Sequence, residues 1–260
     1  MPLRPSPQDV AVASALATQI VRAGLQRVRR VVMVGSRARG SPRADSDLDL
    51  VVLVETPRTA PPWGPADVIA ERKRIQSQLS RPPIRTELWV RTTDRYAEAR
   101  GVIGGVERLV DTEGVEVYSE PLTRPPVGRR TPDQVRREHV SAWIEHALWA
   151  LESTTKMELP SFPRPVVPGH PQTVEDASRI CAERAVNALL VFHQIEAEKR
   201  DGLTKMIALL SRSDRGCAGH VENLLAGSNR PVAAARQVVS EVIRRLAQDR
   251  KMLPYLSSSR

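Results

Sequence analysis

Residues 31–54 read VVMVGSRARGSPRADSDLDLVVLV, and this stretch decides the fold. Two apolar runs flank a loop of Gly, Ser, Pro and Arg, so a strand is predicted at each end. The first run ends in Gly35-Ser36, and after ten intervening residues the second begins with Asp47-Leu48-Asp49. Because alternate residues of a strand share a face, we expect Asp47 and Asp49 to project together into solvent. Such paired carboxylates suit Mg²⁺, which takes one or two carboxylates plus substrate phosphates.

The glycine-serine step predicts a phosphate site next to those carboxylates. Gly35 lets the backbone approach a ligand closely, and Ser36 offers a hydroxyl and a backbone N–H at the start of a short predicted helix. Arg37 and Arg39 add positive charge nearby. A solvated loop of any α/β protein is the alternative, since an Asp-x-Asp pair says little by itself. The paired strands and the spacing favour the phosphate site.

The spacing of these residues, G-S-x10-D-x-D, resembles the DNA polymerase β-like nucleotidyltransferase superfamily, in particular the minimal nucleotidyltransferases. The resemblance implies transfer of a nucleoside monophosphate from a nucleoside triphosphate, with ATP expected, at a site that holds two Mg²⁺ ions or, alternatively, Mn²⁺. Asp47 and Asp49 would hold the metals. The residues expected to bind the nucleotide are Gly35, Ser36, Arg37, Arg39 and Ser46.

The third predicted strand, residues 84–90, carries one acidic residue, Glu87. The superfamily has a third carboxylate on this strand, often Asp, so Glu87 departs from that pattern by one methylene. The antibiotic-modifying adenylyltransferases resemble this chain in having Glu there. The resemblance implies that Glu87 holds metal or acts as the general base for the acceptor hydroxyl. The alternative is a solvated Glu87 paired with Arg85.

The domain boundary is predicted near residue 119, because Glu113-Gly114 and Tyr118 resemble the E-G-x-x-x-Y strand that closes this superfamily's domain. We place a nucleotidyltransferase domain at 1–119 and a proline-rich linker at 120–131. Ser6-Pro7-Gln8-Asp9 is typical of a helix start, so helices are predicted from Pro7 to about Arg29 and over 94–110, with strands near 31–34 and 48–54. The remainder, 132–260, reads as all-helical, with helices near 132–153, 173–199, 203–211, 217–226 and 231–252. The fold class is α+β: a palm-like domain with a mixed sheet, then a helical bundle.

Two segments of the second half, residues 143–151 and 177–193, resemble the first and central helices of HEPN domains, the helical partners of minimal nucleotidyltransferases. HEPN ribonucleases carry an Arg and a His with four to six residues between them, and Arg215 and His220, with four between them, fit that spacing. Glycines at 216 and 219 weaken a helix there. We therefore interpret the pair as a coincidence in a loop or at a helix start and expect no ribonuclease activity. A HEPN-like domain that lacks this motif would bind the acceptor or form a homodimer.

Composition narrows the class of protein further. The net charge of +9 permits phosphate-rich partners without proving contact with nucleic acid. Cys181 and Cys217 form no C-x-x-C pair, which favours small buried residues in a reducing cytoplasm. No apolar run approaches the length of a membrane span, and residues 10–18 lack the basic segment that precedes an export signal. We expect a cytoplasmic protein with no membrane partner.

These features predict an enzyme that moves AMP from ATP onto an acceptor hydroxyl and releases pyrophosphate. The pairing with a HEPN-like domain favours a protein or RNA acceptor in a toxin–antitoxin-like context. An antibiotic adenylyltransferase of the aminoglycoside type, with a small-molecule acceptor, is favoured by Glu87 and opposed by the basic charge. A catalytically degenerate nucleotide-binding module is opposed by the intact Asp47 and Asp49. The acceptor and the nucleotide preference stay open.

Overall fold

A mixed four-stranded sheet organises the first half of the chain. The computed structural model describes residues 4–23, 27–56, 63–80, 83–103, 105–157, 173–197, 202–226 and 230–257. In chain order the strands are β1 (Val28–Val34), β2 (Leu48–Val54), β3 (Thr86–Thr92) and β4 (Val115–Ser119). The order across the sheet is β3-β2-β1-β4. β1 runs antiparallel to β2 and β4, whereas β2 runs parallel to β3. The mixed sheet confirms the predicted α+β class.

Five helices accompany this sheet in the part of the chain that the structure describes. They are α1 (Pro7–Ala23), α2 (Gly35–Ala38), α3 (Pro65–Gln76), α4 (Thr93–Ala99) and α5 (Val106–Thr112). The predicted start of α1 is confirmed, because Ser6 Oγ accepts the backbone N–H of Asp9 at 3.0 Å.

In the first half of the chain, two predicted helices differ from those observed. α1 does not continue to Arg29, which lies in β1 and pairs with Glu55 at 2.7 Å. Sheet pairing therefore outweighs the local helical pattern at this point. The helix predicted over 94–110 is two short helices, α4 and α5, and the glycines at 101 and 105 lie between them.

The central strand β2 is buried on both faces. Leu50 belongs to a core cluster with Ile20 of α1, whereas Val51 belongs to a second cluster with Val110 of α5. A strand that is covered on both sides is expected to be a continuous apolar run. This explains why the bounds predicted for β2, 48–54, agree with those observed.

The chain forms two compact units, Met1–Pro132 and Asp133–Arg260. Residues 120–131, which the sequence predicts to be a linker, are hydrogen-bonded to the first unit. Three carboxylates accept backbone N–H groups of this connecting segment: Glu55 from Thr123 (3.1 Å) and Arg124 (3.0 Å), Asp94 from Val127 (2.7 Å), and Glu98 from Arg129 (2.6 Å). The connecting segment is thus held along the first unit.

The described residues of the second unit form helices joined by turns, and none of them forms a strand. Its helices are α6 (Pro132–Met157), α7 (Val174–Phe192), α8 (Leu203–Leu210), α9 (Arg215–Ala226), α10 (Pro231–Leu246) and α11 (Leu253–Ser257). Ile144, Leu189 and Leu246 are fully buried in their common core.

Cys181 and Cys217 are free and buried in this core, as predicted, and burial raises the pKa of both thiols to about 11. Among the described helices, none has the length and apolar character needed to cross a membrane.

Candidate active site

Three neighbouring strands bring the glycine-serine turn and two carboxylates side by side. β1 ends at Val34, and α2 follows it directly. In the β1/β2 ladder Val34 lies opposite Asp49, and in the β2/β3 ladder Asp49 lies opposite Glu87. Neighbouring strands are about 4.8 Å apart. The turn, Asp49 and Glu87 therefore form one row across the sheet.

Gly35 is pressed against the carboxylate of Asp49. Its φ is +80°, a left-handed value that disfavours other residues. A Cβ added at this position would lie 2.4 Å from Asp49 Oδ2, which is well inside van der Waals contact. Only glycine therefore lets the backbone of the turn approach Asp49 so closely, and Ser36 follows it directly.

Asp47 and Asp49 differ in exposure. Asp49 is buried, with 9 % of its surface exposed, so the expectation that it faces solvent is wrong. The reason is that β2 is the central strand and is covered on both faces. Asp47 lies just before β2 and keeps 25 % of its side chain exposed, with Oδ1 3.4 Å from Nε of Arg85. Arg85 is itself 70 % exposed, and so open an ion pair holds Asp47 only weakly.

Glu87 lies half-buried on β3 beside Asp49. Within the described residues, Glu87 makes no hydrogen bond or ion pair. Arg85, the partner considered for it from the sequence, is instead next to Asp47. The structure therefore favours an available carboxylate at Glu87 over the alternative of a Glu87–Arg85 pair.

The carboxylates fit a Mg²⁺ ion that is bound together with a nucleotide. Oxygen ligands are those that Mg²⁺ prefers. Across the described ranges, no three His, Cys, Asp or Glu side chains are arranged to hold an ion by themselves. Mg²⁺ is usually held by one or two carboxylates, while substrate phosphates and water complete its coordination. The neighbouring carboxylates of Asp49 and Glu87 are thus a pair that would hold such an ion only together with oxygen ligands from elsewhere.

Arg37 and Ser46, two of the residues predicted to bind nucleotide, hold the shape of the loop. The Arg37 guanidinium donates to Asp9 Oδ1 at 2.6 Å and to the carbonyl oxygen of Ser46 at 2.8 and 3.1 Å. Asp9 is buried on α1. The Ser46 hydroxyl accepts the backbone N–H of Arg43 at 2.8 Å. These contacts tie α1 to the loop, a role of Asp9 that its place at the start of a predicted helix does not reveal.

Arg39 and Gly35 share one acceptor, Glu113, which the sequence analysis treated only as part of a strand motif. Glu113 Oε1 accepts the backbone N–H of Gly35 at 2.8 Å, and Oε2 accepts from Arg39 Nη1 at 2.5 Å. Ser36 is half-buried, and its hydroxyl has no hydrogen-bond partner among the described residues. Of the predicted nucleotide-binding side chains, Ser36 is therefore the one left open for a ligand.

Arg215 and His220 lie on α9, so the helix does start here despite its glycines. Asp214 stabilises the start by accepting the backbone N–H of Cys217 at 3.0 Å. Residues five positions apart on an α-helix point about 140° away from each other. Arg215 and His220 therefore do not share a face, and His220 Nε2 is 3.9 Å from Glu241 Oε2 instead.

His220 borders a pocket of about 280 Å³ in the second unit, whose lining includes Asp214, Cys217, Glu241, Arg244 and Arg245. The arginines of this pocket already bind its carboxylates: Arg245 is 2.5 Å from Asp214, and Arg244 is 2.6 Å from Glu241. The raised pKa keeps the Cys217 thiol protonated and unreactive. The pocket therefore offers no free cation and no ready nucleophile among the residues that line it.

Comparison with known families agrees with the geometry of the first unit. A family model described as a nucleotidyltransferase domain matches residues 17–149, just over half of the chain. The matched range includes the glycine-serine turn, Asp47, Asp49 and Glu87, and it extends past Pro132 into α6. The chain belongs to the nucleotidyltransferase domain family, and it is therefore a transferase of nucleoside monophosphate groups. A search of curated proteins finds no match to it.

Proposed function

We propose that the chain is a Mg²⁺-dependent adenylyltransferase that moves AMP from ATP onto an acceptor hydroxyl and releases pyrophosphate. The observation that carries the proposal is the row formed by the Gly35–Ser36 turn, Asp49 and Glu87 across three strands. A phosphate-binding turn and two neighbouring carboxylates are what phosphoryl transfer requires, because its catalysis is mainly positioning and charge neutralisation.

Each of these residues has a distinct role in the proposal. Ser36 donates its hydroxyl and backbone N–H to the triphosphate. Asp47 and Asp49 would hold the metal, which would polarise the phosphate oxygens and offset the charge that develops on them. Glu87 supports the metal or takes the proton of the acceptor hydroxyl. The acceptor oxygen then forms a bond to the α-phosphorus as the bond to the bridging oxygen breaks, and pyrophosphate leaves with the electron pair.

An anionic or neutral acceptor suits this site better than a cationic drug. Arg85 is 70 % exposed and its guanidinium lies beside Asp47, so it sets a positive charge at the entrance to the carboxylates. The net charge of +9 also disfavours the approach of a cationic acceptor at long range. We therefore favour a protein or RNA acceptor over an aminoglycoside, with the second unit as a HEPN-like module for acceptor binding or homodimerisation.

The proposal is tested with ATP labelled at the α-phosphate and, in parallel, at the γ-phosphate. Each is incubated with the protein, Mg²⁺ or Mn²⁺, and one of three acceptor classes: total tRNA, a cell protein extract, or a panel of aminoglycosides. Transfer of the α-label with release of pyrophosphate is expected, to RNA or protein. Transfer of the γ-label alone would indicate a kinase and contradict the proposal. Labelling confined to aminoglycosides would contradict the preferred acceptor class.

A further inference from the structure

Glu113 is held at a fixed position between α5 and β4. Its backbone N–H donates to the carbonyl of Leu109 at 3.0 Å and closes the last turn of α5. The next residue, Gly114, passes so close to the sheet that an added Cβ would lie 2.3 Å from the carbonyl oxygen of Val110 and 2.6 Å from Val32 Cγ1. The backbone that carries Glu113 is thus anchored by α5 and β1 rather than by a loop.

The carboxylate of Glu113 binds both ends of the turn that carries Ser36. One oxygen accepts the N–H of Gly35 at 2.8 Å, and the other accepts from Arg39 at 2.5 Å. Arg39 also donates its backbone N–H to the carbonyl of Gly35 at 3.1 Å. The Glu113 side chain is only 14 % exposed, so solvent competes little for these bonds. The turn therefore cannot shift relative to the sheet without breaking a charge-assisted hydrogen bond.

We infer that Glu113 is a positioning residue that fixes Ser36 for the triphosphate, an inference that rests on the proposed function. Glu113 occupies the Gly35 N–H, so the ligand is left with the hydroxyl and backbone N–H of Ser36. The negative charge of Glu113 is offset by Arg39. A polyanionic ligand at the rigid turn therefore meets no uncompensated charge from Glu113.

A double-mutant cycle separates positioning from a general structural role. Binding of a fluorescent ATP analogue is measured with Mg²⁺ and no acceptor, in the unmodified protein, Glu113→Ala, Ser36→Ala and the double variant. Losing a charge-assisted hydrogen bond should weaken binding about tenfold in Glu113→Ala. If Glu113 acts through Ser36, the same change should cost clearly less once Ser36 is alanine, because only the backbone N–H of Ser36 is then left to be positioned. Glu113→Gln keeps one acceptor oxygen and should recover part of the affinity.

The matched control is Glu116→Ala, which removes another carboxylate of the same segment. Glu116 lies on β4 and pairs with Arg30 at 2.6 Å, away from the turn, so its loss should leave binding unchanged. Circular dichroism checks that each variant is folded, and Glu113→Gln replaces Glu113→Ala in the cycle if the latter is not. Equal losses of affinity with and without Ser36 would overturn the role of Glu113. Failure of the unmodified protein to bind the analogue would instead overturn the proposed function.

Discussion

Replacing Gly35 by alanine should destabilise the first unit and slow transfer, because the added Cβ meets Asp49 Oδ2 at 2.4 Å. A left-handed φ of +80° costs an L-residue about 1–2 kcal/mol. Forcing a methyl group into a packed site costs about 1–3 kcal/mol more, since the buried Asp49 has little room to move. The free energy of unfolding should therefore fall by about 2–5 kcal/mol. A carboxylate displaced by about 1 Å should also lower turnover about a hundredfold.

Urea unfolding and transfer of α-labelled AMP measure the two effects. The matched control is Gly101→Ala, because a Cβ added at Gly101 meets nothing within 4 Å and its φ is not left-handed. Gly101→Ala should retain stability within about 0.5 kcal/mol, as surface substitutions usually do, together with full turnover. A Gly35→Ala protein that matched Gly101→Ala in both assays would refute the reasoning that the turn must touch Asp49.

Three further predictions address single side chains. If Glu87 is the general base, Glu87→Gln should lower turnover by roughly two to four powers of ten with nucleotide binding kept; Glu116→Gln is its control. Glu55→Gln should cost about 1 kcal/mol at pH 7, because a neutral amide replaces a carboxylate that accepts hydrogen bonds from the connecting segment and from Arg29. His220→Ala should leave nucleotidyl transfer unchanged, and the unmodified protein should not cleave tRNA on a denaturing gel.

The effect of pH on Glu55 has a definite sign. Burial raises the pKa of Glu55, but hydrogen bonds from Thr123, Arg29 and Arg124 outweigh burial and bring it below its ordinary value. The stabilisation is therefore complete above the unfolded pKa of about 4.3 and is lost as pH falls through the lower, folded pKa. Urea unfolding between pH 7 and pH 3 should show the difference between the unmodified protein and Glu55→Gln shrinking with acidity. A difference that grew on acidification would contradict this account.

The other two predictions have equally clear negative outcomes. Normal kinetics in Glu87→Gln would show that Glu87, although it lies next to Asp49, takes no part in the reaction. Cleavage of tRNA that disappears in His220→Ala would mean that the second unit is a ribonuclease, against the placement of Arg215 and His220 on different faces of α9.

The sequence was sufficient for the features that depend on local pattern. β2 could be bounded from its continuous apolar run, and the start of α1 from Ser6 and the residues that follow it. A close approach of the backbone at Gly35 could be anticipated, although the neighbour expected from the sequence was a ligand and the one observed is Asp49.

Features that depend on tertiary contacts could not be predicted in this way. The burial of Asp49 follows from the elements that cover β2 on both faces, and no local pattern reports it. Glu113 is 78 residues from Gly35 in the chain, so only the folded sheet brings its carboxylate to the turn. Each glycine in α9 destabilises the helix by about 1 kcal/mol. The helix nevertheless starts at Arg215, because capping by Asp214 and burial of Cys217 outweigh that loss of stability.

The central claim is most directly tested by comparing Asp49→Asn with Asp45→Asn in the transfer of AMP from α-labelled ATP in Mg²⁺. Both substitutions remove one negative charge and keep the shape of the side chain. Asp49 lies in the row with Glu87, whereas Asp45 is an exposed residue of the same loop. The account predicts that Asp45→Asn transfers label like the unmodified protein and that Asp49→Asn, folded by circular dichroism, transfers none above background. Retained transfer in Asp49→Asn would contradict the assignment of this carboxylate to the metal and to the reaction.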